Sequence, residues 1–487
     1  MRRGACQRGT VHGREKRCRM SLIDRFSQIL EDSKREYEEA KAGCFIVTEE
    51  AGGEKKEGAE AKMKGAEAPW TNLLALGDNC SFMKYLLDEK NMTGKIKLIY
   101  IDPPFFSKAS YDAVISLYDS DGKKLSAIKH PAYDDVWHKD MAGYLTMLCK
   151  RLLMMRDLMA EDGTLWVHLD WHVVHYVKVL LDEIFGEENF INEIVWQYKS
   201  GGSSKRHFAR KHDTILVYGK TKKYYFAPPK EKSYNREFKP YRFKGVKEYR
   251  DETGWYTMVT MKDVWQVDMV GRTSSERTGY ATQKPEALLQ RVIESATQEG
   301  DLCADFFCGS GTLGAVAEKS GRRWICCDGS QLAVSAALKR LYNLDSSLAV
   351  AQEKALSWDT IEKTAGKSQG FRAEFKITSD GTAASDRDLL KIALKDYRID
   401  KLPEELSEKD RAAIEKLLDE SPLSLIEYWS IDFDFDGKVF RPEMSFSRDR
   451  GRLILECEKL RPKNSGERIL VKTVDALGNC VFTPVQR

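Results

Sequence analysis

A chain of 487 residues exceeds what one hydrophobic core organises and implies two or three domains. Its 42% hydrophobic residues and 10 tryptophans supply a substantial interior, yet no apolar run approaches the ~18–20 residues that span a membrane. A net charge of +3 selects no partner class, and scattered cysteines without paired CxxC spacing read as reduced thiols of a cytoplasmic protein, not as a disulfide framework.

Met1 to Met20 is basic but has no apolar core or cleavage signal, so it is no secretory leader; it is a tail, or Met20 is the true start. Leu22, Ile23, Phe26, Ile29 and Leu30 give residues 20–44 one apolar helical face. Glu49 to Pro69 is rich in Glu, Lys, Ala and Gly and reads as a solvated linker, so 1–69 is expected to be a helix plus flexible linker. The folded core is expected to begin near Trp70.

Leu73 to Leu76 predicts a strand, and Gly77-Asp78-Asn79 the turn into a helix carrying Phe82, Tyr85, Leu86 and Leu87, with Asp78 as its cap. Leu98-Ile99-Tyr100-Ile101 predicts a buried strand stopped by Pro103 and Pro104. Asp102 is thereby left at the strand's carboxyl end, where open α/β sheets place ligands. Proline donates no hydrogen bond, so the turn is stiff, its carbonyls stay free, and Phe105 adds a flat apolar face. A carboxylate, a free carbonyl and an aromatic plate suit a planar ring bearing an exocyclic amine.

Ser107 to Lys139 reads as a polar loop of functional length. A helix follows over Met141 to Glu161, then a strand over Thr164 to Leu169, and Asp170 caps a helix ending near Phe185-Gly186. Further strands are expected at Glu193 to Tyr198 and Thr214 to Tyr218, an alternation that predicts a mostly parallel sheet with helices on both faces. His168, His172 and His175 lack an acidic partner at a known zinc spacing, and His168 sits in a strand, so no metal is expected.

From Lys199 to Arg250, Lys and Arg outnumber Asp and Glu roughly four to one, interleaved with aromatics from Tyr198 to Tyr249. Basic groups neutralise phosphates and aromatics stack on bases, so nucleic-acid contact is expected, with Lys199, Lys205, Arg206, Arg210 and Lys211 as candidates beside a mobile entry loop at Gly201-Gly202-Ser203-Ser204. Thr282-Gln283-Lys284-Pro285 introduces a helix with Leu288, Leu289, Val292 and Ile293 on one face. Strand Leu302 to Phe307 then feeds Cys308-Gly309-Ser310-Gly311-Thr312-Leu313-Gly314, a glycine loop opening a helix to about Lys319. Strand Trp324 to Cys327 ends at Asp328, and a helix runs to about Leu344.

The spacing Gly309 to Gly314 fits G-x-G-x-x-G, which also admits a nicotinamide or flavin nucleotide. Asp305 before the glycines favours a ligand carrying ammonium and sulfonium groups over a pyrophosphate. Residues 345–370 read as a connection, Arg387 to Leu418 as helical, and Leu425 to Phe435, Leu453 to Glu458 and Ile469 to Val474 as short strands of a small domain.

Asp102-Pro103-Pro104-Phe105 resembles the Asp-Pro-Pro-aromatic motif of the DNA amino-methyltransferases, and Asp305 to Gly311 their Asp-x-Phe-x-Gly-x-Gly loop. Aspartate motif first, basic region next, Thr-Gln-Lys-Pro and glycine loop last: this order is similar to the permuted (β) group. Leu98 to Pro104, Val177 to Trp196 and His212 to Tyr218 resemble modification subunits of type III restriction systems, within a likeness over roughly 73–345. The resemblance implies an α/β Rossmann-like methyltransferase sheet with helices on both faces, a basic target-recognition insert and a small C-terminal α+β domain. The expected divisions are a catalytic half (70–198), a target-recognition region (199–280), a cofactor half (281–345) and an accessory domain (371–487).

It also implies S-adenosylmethionine held by Asp78, Thr282, Lys284, Pro285, Asp305, Phe307, Gly309, Ser310, Gly311, Thr312 and Asp328. Within that set Asp78 would meet the donor's adenine, Lys284 its carboxylate end and Asp328 its ribose. Catalysis would fall to Asp102, Pro103, Pro104 and Phe105, acting on a base flipped from duplex DNA, with Phe105 standing where tyrosine is commonest. Asp at 102 favours adenine N6 over cytosine N4. A homodimer and a separate restriction subunit are the partner arrangements it allows. A nucleotide-dependent oxidoreductase, a non-catalytic DNA-binding module, and methylation of RNA or protein are the competing readings.

Overall fold

The computed structural model describes residues 21–52, 70–108, 110–134, 140–199, 203–271, 273–344, 347–364, 371–380, 387–462 and 468–485. The basic start, most of the expected linker, and Gly201 and Gly202 lie outside the described residues. In chain order come α1 (Phe26–Glu38), β1 (Ile46–Ala51), β2 (Asn72–Leu76), α2 (Asn79–Asp88), β3 (Ile96–Ile101), β4 (Ser110–Tyr118) and β5 (Lys124–Asp134). Then follow α3 (Met141–Leu158), β6 (Met159–Leu169), α4 (Val174–Phe185), β7 (Phe190–Gln197) and β8 (His212–Gly219). A small antiparallel sheet of β9 (Lys230–Tyr234), β10 (Glu248–Arg250) and β11 (Trp255–Thr260), with β11 in the middle, precedes β12 (Val264–Gln266) and α5 (Glu286–Ala296). Next are β13 (Leu302–Asp305), α6 (Thr312–Lys319), β14 (Arg323–Asp328), α7 (Gln331–Tyr342), β15 (Leu348–Gln352) and α8 (Trp358–Thr364). The chain closes with β16 (Phe371–Asp380), β17 (Arg387–Ile399), α9 (Glu408–Glu420), β18 (Ile426–Asp432), β19 (Met444–Ser447), β20 (Glu456–Pro462), β21 (Ile469–Asp475) and β22 (Cys480–Val485).

Ten strands form one α/β sheet in the order β1-β15-β2-β14-β13-β3-β6-β8-β7-β12. The run from β15 to β6 is parallel, while β8 lies antiparallel between β6 and β7 and β1 is antiparallel on β15. Alternation in the central strands assigns the two faces. Ile99 and Ile101 join the core under α1 to α4, while Leu98 and Tyr100 join the core under α5 to α7. Both faces are therefore covered, in a Rossmann-like arrangement. Because β2, β14, β13 and β3 are neighbours and parallel, Asp78, Asp328, Asp305 and Asp102 all emerge at one edge of the sheet.

Several expectations change: α3 ends at Leu158, where β6 begins, not at Glu161, and Ile29 and Phe45 already belong to the core ahead of Trp70. The polar loop after Phe106 is the hairpin β4–β5, whose inward Leu117 and Ile128 join the core of the C-terminal unit. The first part of the expected helix from Arg387 is strand β17, where Leu390, Ile392 and Leu394 are buried at a spacing of two, not four. The connection after 345 contributes β15 to the central sheet, and residues 46–51 add β1 beside it. Finally, α4 starts at Val174, so Asp170 holds the turn ahead of it by accepting from His172 N (2.9 Å).

The C-terminal unit pairs β16-β17-β20 with β19-β18-β21-β22 and α9, an α+β arrangement. Glu49 of β1 ties it to the central sheet: buried, it accepts from Lys472 Nζ of β21 (2.5 Å) and from Tyr342 Oη of α7. A buried ion pair of this kind fixes geometry more than it adds stability.

Candidate active site

Strand β3 stops at Ile101 because the two prolines after Asp102 cannot continue a ladder. Tyr144 Oη of α3 donates to the Pro104 carbonyl (2.7 Å) and pins the turn. Lys284 Nζ donates to Asp102 Oδ2 and lies 5.5 Å from the Phe105 ring centroid. Asp102 Oδ1 is buried with no partner among the described residues. An unmet buried acceptor costs about 1–3 kcal/mol, more when charged, so this oxygen marks where a ligand's N–H is wanted.

The neighbouring edge is built from glycine. Gly309 (φ +49) and Gly311 (φ +70) occupy left-handed backbone, and a Cβ on Gly311 would sit 2.8 Å from the Ala337 Cβ of α7. Asp328 organises the loop, with Oδ2 accepting from Gly309 N and Oδ1 from Ser330 N, both at 2.9 Å. Thr312 Oγ1 donates to the Lys284 carbonyl (3.3 Å) and accepts from Arg340 Nη1 (3.0 Å), joining the loop to the Thr-Gln-Lys-Pro segment.

Three acids thus end adjacent strands with few cations near. Burial pushes the Asp305 carboxyl well above the usual range; Phe307 N–H opposes this, the charges of Asp102 and Asp328 add to it, and Lys284 opposes it. Burial also raises Asp328, against three backbone N–H groups. A cationic ligand here would relieve what burial imposes.

Asp102, Pro103, Pro104, Phe105, Thr282, Lys284, Asp305, Phe307, Gly309, Ser310, Thr312 and Asp328 line one open cleft. Gly311 and Pro285 stand behind the lining, the first against α7 and the second at the N-terminus of α5. Asp78 is absent from it. Its Oδ1 caps α2 through Ser81 N (2.9 Å), its Oδ2 meets Arg151 Nη2 (3.1 Å), and it borders a separate hollow with Lys150.

Lys199, Lys205, Arg206, Arg210 and Lys211 lie on the connection from β7 to β8, which leaves the sheet at the edge where Asp102 emerges. All but the half-buried Lys211 are exposed, and the Arg210 guanidinium lies 3.7 Å from the Trp171 ring centroid. The aromatics from Tyr224 to Tyr249 do not enter the cleft lining. Sequence reasoning missed Tyr280 and Tyr144. Tyr280 lines the cleft and also a second cavity beneath the hairpin, and no local pattern distinguishes either tyrosine.

The model of the N6/N4 DNA methylase family matches residues 96–339, half of the chain, and the chain belongs to that family. It is 29% identical over 306 residues to the type II methyltransferase M.EcaI of Enterobacter cloacae, covering 50% of this chain and 64% of that protein. It is also 29% identical over 280 residues to the type II methyltransferase M2.DpnII of Streptococcus pneumoniae, covering 55% of this chain and 89% of that one. The chain thus spans less than two thirds of the first of these relatives, and both carry type II names. Among solved structures, the M1.HpyAVI–SAM complex is 18% identical with a TM-score of 0.35, covering 55% of this chain and 98% of that one. No helix of the described residues is long and apolar enough to cross a membrane.

Proposed function

We propose that the protein transfers a methyl group from S-adenosylmethionine to an exocyclic amine of a base flipped from duplex DNA, adenine N6 in the first place. The observation that carries this reading is the buried Asp102 Oδ1, without a partner among the described residues, in the same cleft as the glycine loop. The residues fit the donor: Asp305, Phe307, Gly309, Ser310, Thr312 and Asp328 form a cradle that burial leaves short of positive charge. When bound, S-adenosylmethionine supplies an electrophilic methyl on a positive sulfur.

An aromatic amine is a poor nucleophile because its lone pair is delocalised into the ring. Asp102 Oδ1 and the Pro103 carbonyl accept its two hydrogens, draw the nitrogen towards tetrahedral geometry and stabilise the charge that develops. Phe105 stacks on the base, returning about 1–3 kcal/mol against a flipping cost of a few kcal/mol. Lys284 must yield Asp102 Oδ2 or stay beside it as a counter-charge. Basic groups on the β7–β8 connection bind phosphates. Aspartate at 102 and the permuted motif order support adenine and the β group respectively.

The test is to incubate the protein with unmethylated DNA and S-adenosylmethionine bearing a labelled methyl, then identify the modified nucleoside by mass. Labelled N6-methyldeoxyadenosine is expected. Labelled N4-methyldeoxycytidine would move the assignment to the sister specificity, and no labelled nucleoside would end it.

A further inference from the structure

His168 lies at the end of β6 beside Asp102, fully buried, and serves none of the roles assigned above. Its Nδ1 is 2.9 Å from Tyr100 Oη of β3 and its Nε2 is 3.3 Å from Asp213 Oδ2 of β8. Tyr198 Oη donates to the other oxygen of Asp213 (3.2 Å). The Trp196 indole stands edge-on to the imidazole at 5.3 Å. Side chains of three other strands, β3, β7 and β8, therefore surround one ring on β6.

That ring lies 6.0 Å from the Phe105 ring, with their planes only 20° apart. A core histidine needs its polar atoms satisfied, but not a near-parallel alignment with an aromatic beside a catalytic turn. Burial pushes the Asp213 carboxyl up, but His168 and the other partners outweigh it and hold it below the usual range. The Asp213 carboxylate faces Nε2 and the Tyr100 hydroxyl faces Nδ1, so each ring nitrogen has a hydrogen-bond partner. Both ring nitrogens are thus fixed and the imidazole cannot rotate.

We propose that His168 is a positioning residue for base stacking: held by Asp213 and Tyr100, it sets the plane of Phe105 and so the plane in which a flipped base meets Asp102. This rests on the methyltransferase reading of the cleft. A residue acting through Phe105 loses its effect when Phe105 is gone, whereas a residue that merely supports the fold does not.

The experiment is a double-mutant cycle in the full chain, with single-turnover methylation of amplified, unmethylated DNA and donor affinity measured alongside. His168→Ala is expected to lower the transfer rate about tenfold, the scale of one stacking contact, with donor affinity within about twofold of wild type. In a Phe105→Ala background the same change is expected to cost nothing further. Multiplicative losses, or an unchanged rate in the single variant, would overturn the proposal. Should His168→Ala not fold, His168→Phe and His168→Gln carry the test: the ring-keeping variant must outperform the amide, and the reverse order overturns it. A wild-type chain that methylates no DNA defeats the underlying reading instead, so the two failures are told apart.

Discussion

Two turns at one edge of the sheet end parallel strands in an aspartate, yet they are built by opposite means. After Asp102 the chain uses two prolines, which withhold N–H groups, and Asp102 Oδ1 is left buried without a partner among the described residues. After Asp305 it uses glycines at positive φ, which turn N–H groups inward, where Asp328 takes one of them. The proline turn offers acceptors and suits a ligand with hydrogens to give. The glycine turn offers a close backbone approach beside buried acids and suits a bulky, positively charged one. Lys284 is the group shared between them, its side chain on Asp102 and its carbonyl on Thr312.

If the turns divide the work in this way, substitutions should separate donor binding from transfer. The largest effect is expected at Gly311→Val, which forces a branched side chain into positive φ and against Ala337. Calorimetric titration should find donor affinity reduced by about a hundredfold or more, equivalent to the ~3 kcal/mol of a strained site. Phe105→Ala should leave donor affinity intact and slow transfer roughly five- to 150-fold, the range of about 1–3 kcal/mol of lost stacking. Lys284→Ala should weaken donor binding about fivefold, equivalent to the roughly 1 kcal/mol of one lost hydrogen bond. Unchanged affinity would remove Lys284 from the donor's site.

The smallest effect concerns stability and runs in the opposite direction. Burial raises the Asp305 carboxyl, so its ionised form is penalised in the folded state. The stability it contributes is present below its unfolded pKa and is lost as pH rises through the folded value. Asp305→Asn, which keeps the acceptor for Phe307 N, should therefore raise the melting midpoint at neutral pH by about 1–2 °C, what about 1 kcal/mol supplies in a chain of this size. The same change should weaken donor binding, and the gain should vanish in acid.

Much of this edge was legible in the sequence because it is local. A strand pattern stopped by two prolines, and another followed by a glycine loop, each declares an acid at a carboxyl end without any tertiary knowledge. His168 and Tyr144 were not legible in their roles, because their partners Phe105, Asp213 and Pro104 lie 40 or more residues away. Asp78 shows the reverse limit: its local pattern as a helix cap held, while the position implied by resemblance did not bring it into the cleft. In the hairpin and β17, apolar residues alternate among charged ones, and composition hid the spacing of two that places them in a core.

The measurement that bears most directly on the division between the turns is donor titration and single-turnover methyl transfer on Asp102→Ala beside wild type. The expected result is donor affinity within about twofold of wild type and transfer below about 1% of it, since a lost hydrogen bond to a charged catalytic acceptor is worth roughly 3 kcal/mol or more at the transition state. Transfer at more than a few per cent of wild type, with donor affinity retained, would contradict it.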